Sequence, residues 1–362
     1  MTTYLLAGGG TAGHVNPLLA TADRLRTRGA GIVVLGTAEG LEARLVPERG
    51  YALETIPRVP FPRRPNAAAL RFPGRFLRAV ARSRELLRER EVDVVLGFGG
   101  YAAMPAYVAA RREGVPFVLH EANARPGLAN VWGARHAAAA GTVFPDTQLR
   151  GAEVVGMPLR AEIEGLDLAA ERAAAARHFG LDPDRPVLLV FGGSAGARRI
   201  NDAFVAAWPE VIAAGWQLLH VTGNARADEV DPGGSPDRVV LPYAERMDLA
   251  YAVADLVVCR SGSATVSELS ALGIPAVYVP YAVGNGEQAL NARGVVAAGG
   301  ARLVDDRAFT AAAVSARVVP LLGDPAERAR MAAAAAAFGT RDGTDRLLAL
   351  VERAVGGRVS AG

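Results

Sequence analysis

Lysine is absent, so every one of the 40 basic residues is arginine. A P-loop, which needs its lysine on the phosphates, and Schiff-base chemistry are thereby excluded. The single cysteine, Cys259, excludes an internal disulfide and a cysteine-built metal site, and suits a reducing cytoplasm. No apolar run reaches the roughly 18 residues needed to span a bilayer. The first residues, MTTYLLAGGG, already read as a strand entering a loop, so neither a signal peptide nor a transmembrane anchor is expected. The formal charge of +3 is modest, and nucleic acid is not an expected partner. Asparagine and glutamine are scarce against the Ala, Arg and Gly bias. Six of the eight Asn (Asn16, Asn123, Asn130, Asn201, Asn285 and Asn291) fall in Gly-rich or polar loops or at their helix starts, and Gln288 is one of three Gln.

What is present is a repeated plan. With 362 residues and 51% hydrophobic content the chain is expected to form two cores. The first half opens with a strand, Thr3 to Ala7, then GGGTAGHVNP, then a helix with Asn16 as its cap and Pro17 in its first turn. Gly8, Gly10 and Gly13 satisfy GxGxxG, but the second strand, Ile32 to Leu35, ends without the acidic residue of a dinucleotide fold: Glu39 and Glu42 come too late. His14 stands just before the helix, at the mouth of the glycine loop. Strands at Val92 to Leu96 and Phe117 to Leu119 feed two more loops, GFGGYAAMP and HEANARPGLAN, at the same carboxyl edge of a parallel sheet. From Pro57 to Arg90 the chain is basic and aromatic; a helix beginning near Pro73 would place Phe76, Ala79 and Val80 on one face and Arg75, Arg78 and Arg82 beside them.

After GMPLR and an acidic, Ala-rich stretch the plan restarts. Val187 to Phe191 reads as a strand leading into GGSAGARRIN and a helix, and strands near Gln217 to Val221, Val239 to Leu241, Leu256 to Cys259 and Ala276 to Val279 follow. The richest stretch is DLVVCRSGSATVSELSALGIPAVYVPYAVGNGEQALNA, residues 255–291. A strand feeds a Ser/Gly turn and a helix N-terminus, whose free N–H groups and dipole favour an anionic phosphate. Glu268 in the early turns suits two ribose hydroxyls, and GNGEQALNA supplies amides of the kind that read sugar hydroxyls. Asp182-Pro183-Asp184, the only DxD, precedes its strand and reads as a turn rather than a metal site. No metal and no cofactor is expected.

Together GGGTAGH, GFGGY, HEAN, GGSAGA, CRSGSATVSE and GNGEQALNA, in this order and spread over essentially the whole chain, resemble the MurG family of UDP-GlcNAc transferases, which convert lipid I to lipid II. The resemblance implies an α/β GT-B fold, two Rossmann-like domains facing across a cleft, and metal-independent inverting transfer to the C4 hydroxyl of the acceptor. It places an acceptor and membrane-associating domain at 1–158, a UDP-GlcNAc domain at 159–340, and a C-terminal helix, 341–362, packing back on the first. The implied donor set is Thr11, Ala12, Gly13, Asn123, Arg160, Ser194, Arg260, Ser263, Ala264, Thr265, Val266, Ser267, Glu268, Gln288 and Asn291. The implied acceptor set is Thr11, Gly13, His14, Tyr101, His120 and Asn130. His14 is the leading base, since a helix N-terminus suits a neutral imidazole, and Glu121 is the alternative. Ala122, Ala195 and Glu287 depart from residues frequent in the family.

The partners so implied are UDP-GlcNAc, lipid I, an anionic membrane surface and other cell-wall synthesis proteins, with the protein peripheral on the cytoplasmic face of the cell membrane. Arg63 to Arg82 with Leu70, Phe72, Phe76 and Leu77 is the expected membrane-facing patch. A sugar-nucleotide epimerase would share the fold and donor site but would not need a cationic apolar patch, and a non-catalytic UDP-sugar-binding subunit would need neither His14 nor the HEAN loop.

Overall fold

The computed structural model describes residues 1–61, 67–193, 196–223, 235–282 and 286–359, with the backbone alone at 67–69 and 357–359. The chain forms two compact units. The first is Met1–Arg160 together with the segment from Arg341 onward, and the second is Ala161–Thr340.

The first unit is built on seven parallel strands: β1 (Thr3–Ala7), β2 (Gly31–Gly36), β3 (Leu53–Thr55), β4 (Val94–Gly97), β5 (Phe117–Glu121), β6 (Ala139–Thr142) and β7 (Ala152–Val154). Their order, β3-β2-β1-β4-β5-β6-β7, reverses direction between β1 and β4. Such a reversal leaves a crevice at the carboxyl ends of the two strands, the usual ligand position of an open α/β sheet. Central strands such as FVLHE are buried throughout because helices cover both faces. Five of these helices are α1 (Ala12–Thr27), α2 (Glu42–Glu48), α3 (Ala67–Glu89), α4 (Ala103–Glu113) and α5 (Leu128–Gly133). The helix Gly343–Val359 belongs here too: Leu347, Leu348, Leu350 and Val351 join Leu6, Leu18 and Val118 in one core, and Asp345 pairs with Arg24 and Arg28 of the α1 region.

The second unit repeats the plan with six parallel strands: β8 (Val187–Phe191), β9 (Gln217–Val221), β10 (Arg238–Leu241), β11 (Leu256–Cys259), β12 (Ala276–Tyr278) and β13 (Ala301–Leu303). The order β10-β9-β8-β11-β12-β13 reverses between β8 and β11. The residues that follow β11 therefore lie at a switch point, as those that follow β1 and β4 do in the first unit. Asp182 precedes β8 and its carboxylate accepts the Asp184 N–H at 2.9 Å, closing a local turn.

Three boundaries differ from the sequence reading. Helix α1 begins at Ala12, so Asn16 is not its cap and His14 lies inside its first turn; the amides of His14 and Val15 both donate to the Thr11 carbonyl and close that turn early. Pro17 sits within the helix, where its missing N–H removes only the bond that would reach the Gly13 carbonyl. Strand β5 runs on through His120 and Glu121, which pair with Gly141 and Thr142 of β6, so the head of the HEAN motif is buried strand rather than loop. Helix α3 begins at Ala67 and carries Pro73 inside it.

Candidate active site

At the switch point of the first sheet two glycine loops pack on each other. Gly100 has φ +80° and lies so close to the Gly9 carbonyl that no side chain fits between them. The loop after β1 turns into α1, whose first amides have no intrahelical acceptor; Thr11 is exposed and Ala12 and Gly13 are half-buried there. The half-buried His14 turns its Nδ1 to the Gly9 carbonyl at 3.1 Å, with the Thr11 hydroxyl at 3.4 Å. A carbonyl oxygen only accepts, so Nδ1 carries a proton, and in the neutral ring the lone pair is then on Nε2, an assignment made from this hydrogen bond. Nε2 lies beside Gly99, where a Cβ would crowd it at 3.1 Å. Tyr101 borders the same loop, its ring under the Arg58 guanidinium at 4.6 Å.

Glu121 is placed as an anchor. It is 2% exposed. Its Oε1 accepts the Asn123 N–H at 2.9 Å, and its Oε2 accepts the Gly127 N–H at 2.9 Å and the Asn130 side-chain amide at 3.0 Å. Asn130 is itself buried and takes the Tyr107 hydroxyl at 2.8 Å. This network holds the 122–127 loop and the start of α5. A carboxylate with both oxygens so engaged is poorly placed to take a substrate proton. His120 is wholly buried, with Nε2 on the Gly156 carbonyl at 3.0 Å, and burial pushes its pKa down to about 4. It is a neutral core residue with no surface for an acceptor. Asn123 remains half-buried at the loop. Arg160, where the chain leaves this unit for the second, is half-buried and lines a cavity of about 190 Å³ with Asn16, Leu19, Leu45, Glu48 and Arg49.

In the second unit the helix Ser263–Leu272 starts at the switch point after β11. Its amides at Ser263, Ala264 and Thr265 have no acceptor within the helix, and the Val266 N–H is the first to close it, on the Gly262 carbonyl. Ser263 and Val266 are buried, whereas Ala264, Thr265 and Ser267 are half-exposed. Glu268, 7% exposed, is oriented by the Tyr251 hydroxyl, which donates to its Oε2 at 2.8 Å. Gln288 is half-buried with its Oε1 on the Tyr281 N–H at 2.9 Å, an orientation that points its amide hydrogens elsewhere. Asn291 is fully buried beneath the turn, with its amide 3.4 Å from the Ser261 carbonyl. Arg260 is held internally: its Nη1 donates to the Val279 carbonyl at 2.9 Å and to Asp306 at 2.5 Å, a carboxylate it shares with Arg199 at 3.2 Å. Ser194, Ala195 and Asn285 lie outside the described residues. Among the described residues no three His, Cys, Asp or Glu side chains stand together as metal ligands.

Sequence reasoning missed Glu42, using it only as an acid too late for a dinucleotide site. It is 1% exposed, directly beneath the first glycine loop, and accepts the Gly10 N–H at 2.7 Å. The signal available was the pair of glycines at 36 and 40 that make room for it.

On α3, Ala79 and Val80 are buried while Leu70 and Leu77 are 86% and 55% exposed. Phe72 stacks between Phe61 and Phe76, with centroids at 5.0 and 5.7 Å. Arg71, Arg75 and Arg78 are exposed, but Arg82 faces Glu54, Glu85 and Glu89 within 3.6 Å and drops out of a cationic patch. Arg63 lies outside the described residues. No described helix is long and apolar enough to cross a membrane.

Comparison with known proteins adds an independent line. Residues 4–142 match the glycosyltransferase family 28 N-terminal domain and residues 187–347 the C-terminal domain of that family. The chain is 62% identical to the UDP-N-acetylglucosamine--N-acetylmuramyl-(pentapeptide) pyrophosphoryl-undecaprenol N-acetylglucosamine transferase of Clavibacter sepedonicus, over 99% of this chain and 98% of that one. It is similar to the crystal structure of Acinetobacter baumannii MurG, with TM-score 0.78 and 26% identity over 97% of this chain and 100% of that one. The UDP-N-acetylglucosamine 2-epimerase of Listeria monocytogenes superposes with TM-score 0.69 over 97% of this chain and 96% of that one, but at 13% identity, a likeness of fold alone.

Proposed function

The chain belongs to the MurG family, enzymes that move GlcNAc from UDP-GlcNAc to lipid I to give lipid II, and from that premise we propose how its residues divide the work. The first unit receives the acceptor at the loops after β1, β4 and β5, and the second holds the donor at the helix Ser263–Leu272. The observation that carries this reading is the His14 imidazole, fixed by the Gly9 carbonyl with Nε2 left as an acceptor. Nε2 takes the proton of the acceptor C4 hydroxyl as that oxygen attacks the anomeric carbon of GlcNAc and the bond to UDP breaks. A single displacement inverts the centre and needs no enzyme nucleophile.

Negative charge grows on the bridging oxygen of the departing UDP. The free amides and positive dipole end of the helix Ser263–Leu272 supply preorganised stabilisation, worth about 1–3 kcal/mol in total. Glu268 holds the ribose hydroxyls, and the Gln288 amide hydrogens read the sugar. Asn291 supports the Ser261 turn from below rather than touching the donor.

The lipid acceptor places the enzyme at a bilayer. We assign the contact to the exposed Leu70 and Leu77, the Phe61–Phe72–Phe76 stack, and Arg71, Arg75 and Arg78, on the cytoplasmic face where UDP-GlcNAc is available. Each Arg near an anionic leaflet contributes about 1 kcal/mol, so three charge reversals remove most of the attraction. Liposome sedimentation is expected to be strong on anionic vesicles at low salt, to fall with salt and with neutral lipid, and to be lost in the triple variant Arg71→Glu, Arg75→Glu, Arg78→Glu. Arg82→Glu leaves binding unchanged on this account. Sedimentation insensitive to both salt and the triple variant would return α3 to a plain cover of the sheet.

A further inference from the structure

The first glycine loop is not held by its own backbone alone. Glu42, the first residue of α2, is 1% exposed and has no arginine or histidine at hydrogen-bond distance among the described residues. Its Oε2 accepts the Gly10 N–H at 2.7 Å, and its Oε1 accepts the Thr37 N–H at 3.0 Å and the Thr37 hydroxyl at 2.7 Å. Gly9 and Gly40 wall the carboxylate, and Gly36 the Cγ behind it, so closely that a methyl on any of them would overlap the Glu42 side chain. Burial pushes the Glu42 pKa up, but the Gly10, Thr37 and Glu42 backbone and hydroxyl donors outweigh it and hold the carboxyl below its usual range. An ionised carboxylate in such a socket fixes what it touches, because each donor would be left unpaired in a dry site without it.

What it touches is one peptide away from the chemistry. The Gly9–Gly10 peptide gives its N–H to Glu42 and its carbonyl to His14 Nδ1. A planar peptide couples the two directions: fixing the N–H fixes the carbonyl. We propose that Glu42 is a positioning residue for transfer, orienting the Gly9–Gly10 peptide so that its carbonyl holds His14 in the Nδ1–H form with Nε2 free for the acceptor hydroxyl. This rests on His14 as the base, but the orientation itself is measured independently of that role. Glu42 touches no substrate.

The test is the ring tautomer. In protein labelled with ¹⁵N-histidine, at a pH where the imidazoles are neutral, the His14 signals are identified by their loss in His14→Ala. The intact enzyme shows the Nδ1–H tautomer at His14; an Nε2–H tautomer there overturns the proposal without any variant. Glu42→Gln keeps the volume but offers one acceptor oxygen to three donors. It is expected to mix the His14 tautomers and to lower kcat about 10- to 100-fold, the scale of a small misplacement, with the KM for UDP-GlcNAc within about twofold. Glu42→Asp, which withdraws the carboxylate from Gly10 but keeps its charge, gives the same pattern and serves if the glutamine variant does not fold. A folded variant with the wild-type tautomer and wild-type kcat would overturn the proposal. Full turnover in His14→Ala removes the base assignment instead, and leaves the tautomer measurement to judge Glu42 by itself.

Discussion

Replacing His14 by alanine is expected to lower kcat by about 10²–10⁴-fold, the usual contribution of a positioned general base. The acceptor hydroxyl then attacks with only water to take its proton, while the donor site in the other unit is untouched, so the KM for UDP-GlcNAc should change little. The acidic limb of the rate profile should flatten if it reports protonation of the base. His14 is half-buried at the head of α1 and fills no core, so thermal stability should be close to wild type. The neighbouring Glu121 gives the opposite pattern. It holds the Asn123 and Gly127 amides and the buried Asn130 side chain, so Glu121→Ala takes one acceptor from each of the three. That variant should lose stability by about 1–3 kcal/mol in all, and should keep the acidic limb in whatever folded enzyme remains. If His14→Ala instead raised the acceptor KM with kcat and the pH profile preserved, His14 would be a binding residue.

The second large effect falls on the donor. Glu268→Ala should weaken UDP itself by about 1.5–3 kcal/mol, or roughly 10- to 150-fold in Kd, because two charge-assisted hydrogen bonds to ribose are lost together. The variant also strips the Tyr251 hydroxyl of its 2.8 Å partner. Tyr251 is 2% exposed, so part of the loss is structural. Tyr251→Phe separates the two parts: it removes the orienting bond but keeps the carboxylate, and should weaken UDP by less than Glu268→Ala does. Gln288→Ala should leave UDP binding nearly intact and change the preference between UDP-GlcNAc and its C4 epimer. Equal loss of UDP affinity in the Glu268 and Gln288 variants would refute the division between nucleotide and sugar recognition. Calorimetric titration with UDP reads all three.

Much of this architecture was legible in the residues. The strands Thr3–Ala7, Val187–Phe191, Gln217–Val221 and Leu256–Cys259 are short, largely apolar runs, the first three stopped at once by glycine or threonine and the last by Arg260 and a Ser/Gly turn, and they stand as read. The loops were legible at the carboxyl edge of a parallel sheet, and the strand order then sets those after β1, β4 and β11 at switch points. What sequence could not show is which polar groups are spent internally. His120 and Glu121 look like loop chemistry because they are polar, yet they end a central strand with neighbours on both sides. Arg260 looks like a free cation beside a phosphate site, and only the fold brings Asp306, 46 residues on, against it. Arg82 likewise meets Glu54 through the fold, although Glu85 and Glu89 were already its helical neighbours. Glu42 was invisible for the converse reason. Its partners are backbone N–H groups, which every residue has, and only Gly36 and Gly40 hinted that a side chain needed the room. The helix start at Ala12 was obscured by Pro17, a residue that more often opens a helix than sits inside one.

The central claim is that this chain transfers GlcNAc, unaided by metal, from UDP to the C4 hydroxyl of a lipid-linked acceptor. The most direct measurement incubates the 362-residue chain, after exhaustive chelation, with UDP-GlcNAc and lipid I in anionic vesicles, and follows UDP and the lipid product by mass and NMR. The account predicts one UDP released for each GlcNAc joined to lipid, with the new linkage β from the α-configured donor, and no UDP released when lipid I is omitted. Conversion of the sugar nucleotide to an epimer without lipid, an α linkage, or turnover restored only by added magnesium or manganese would contradict it.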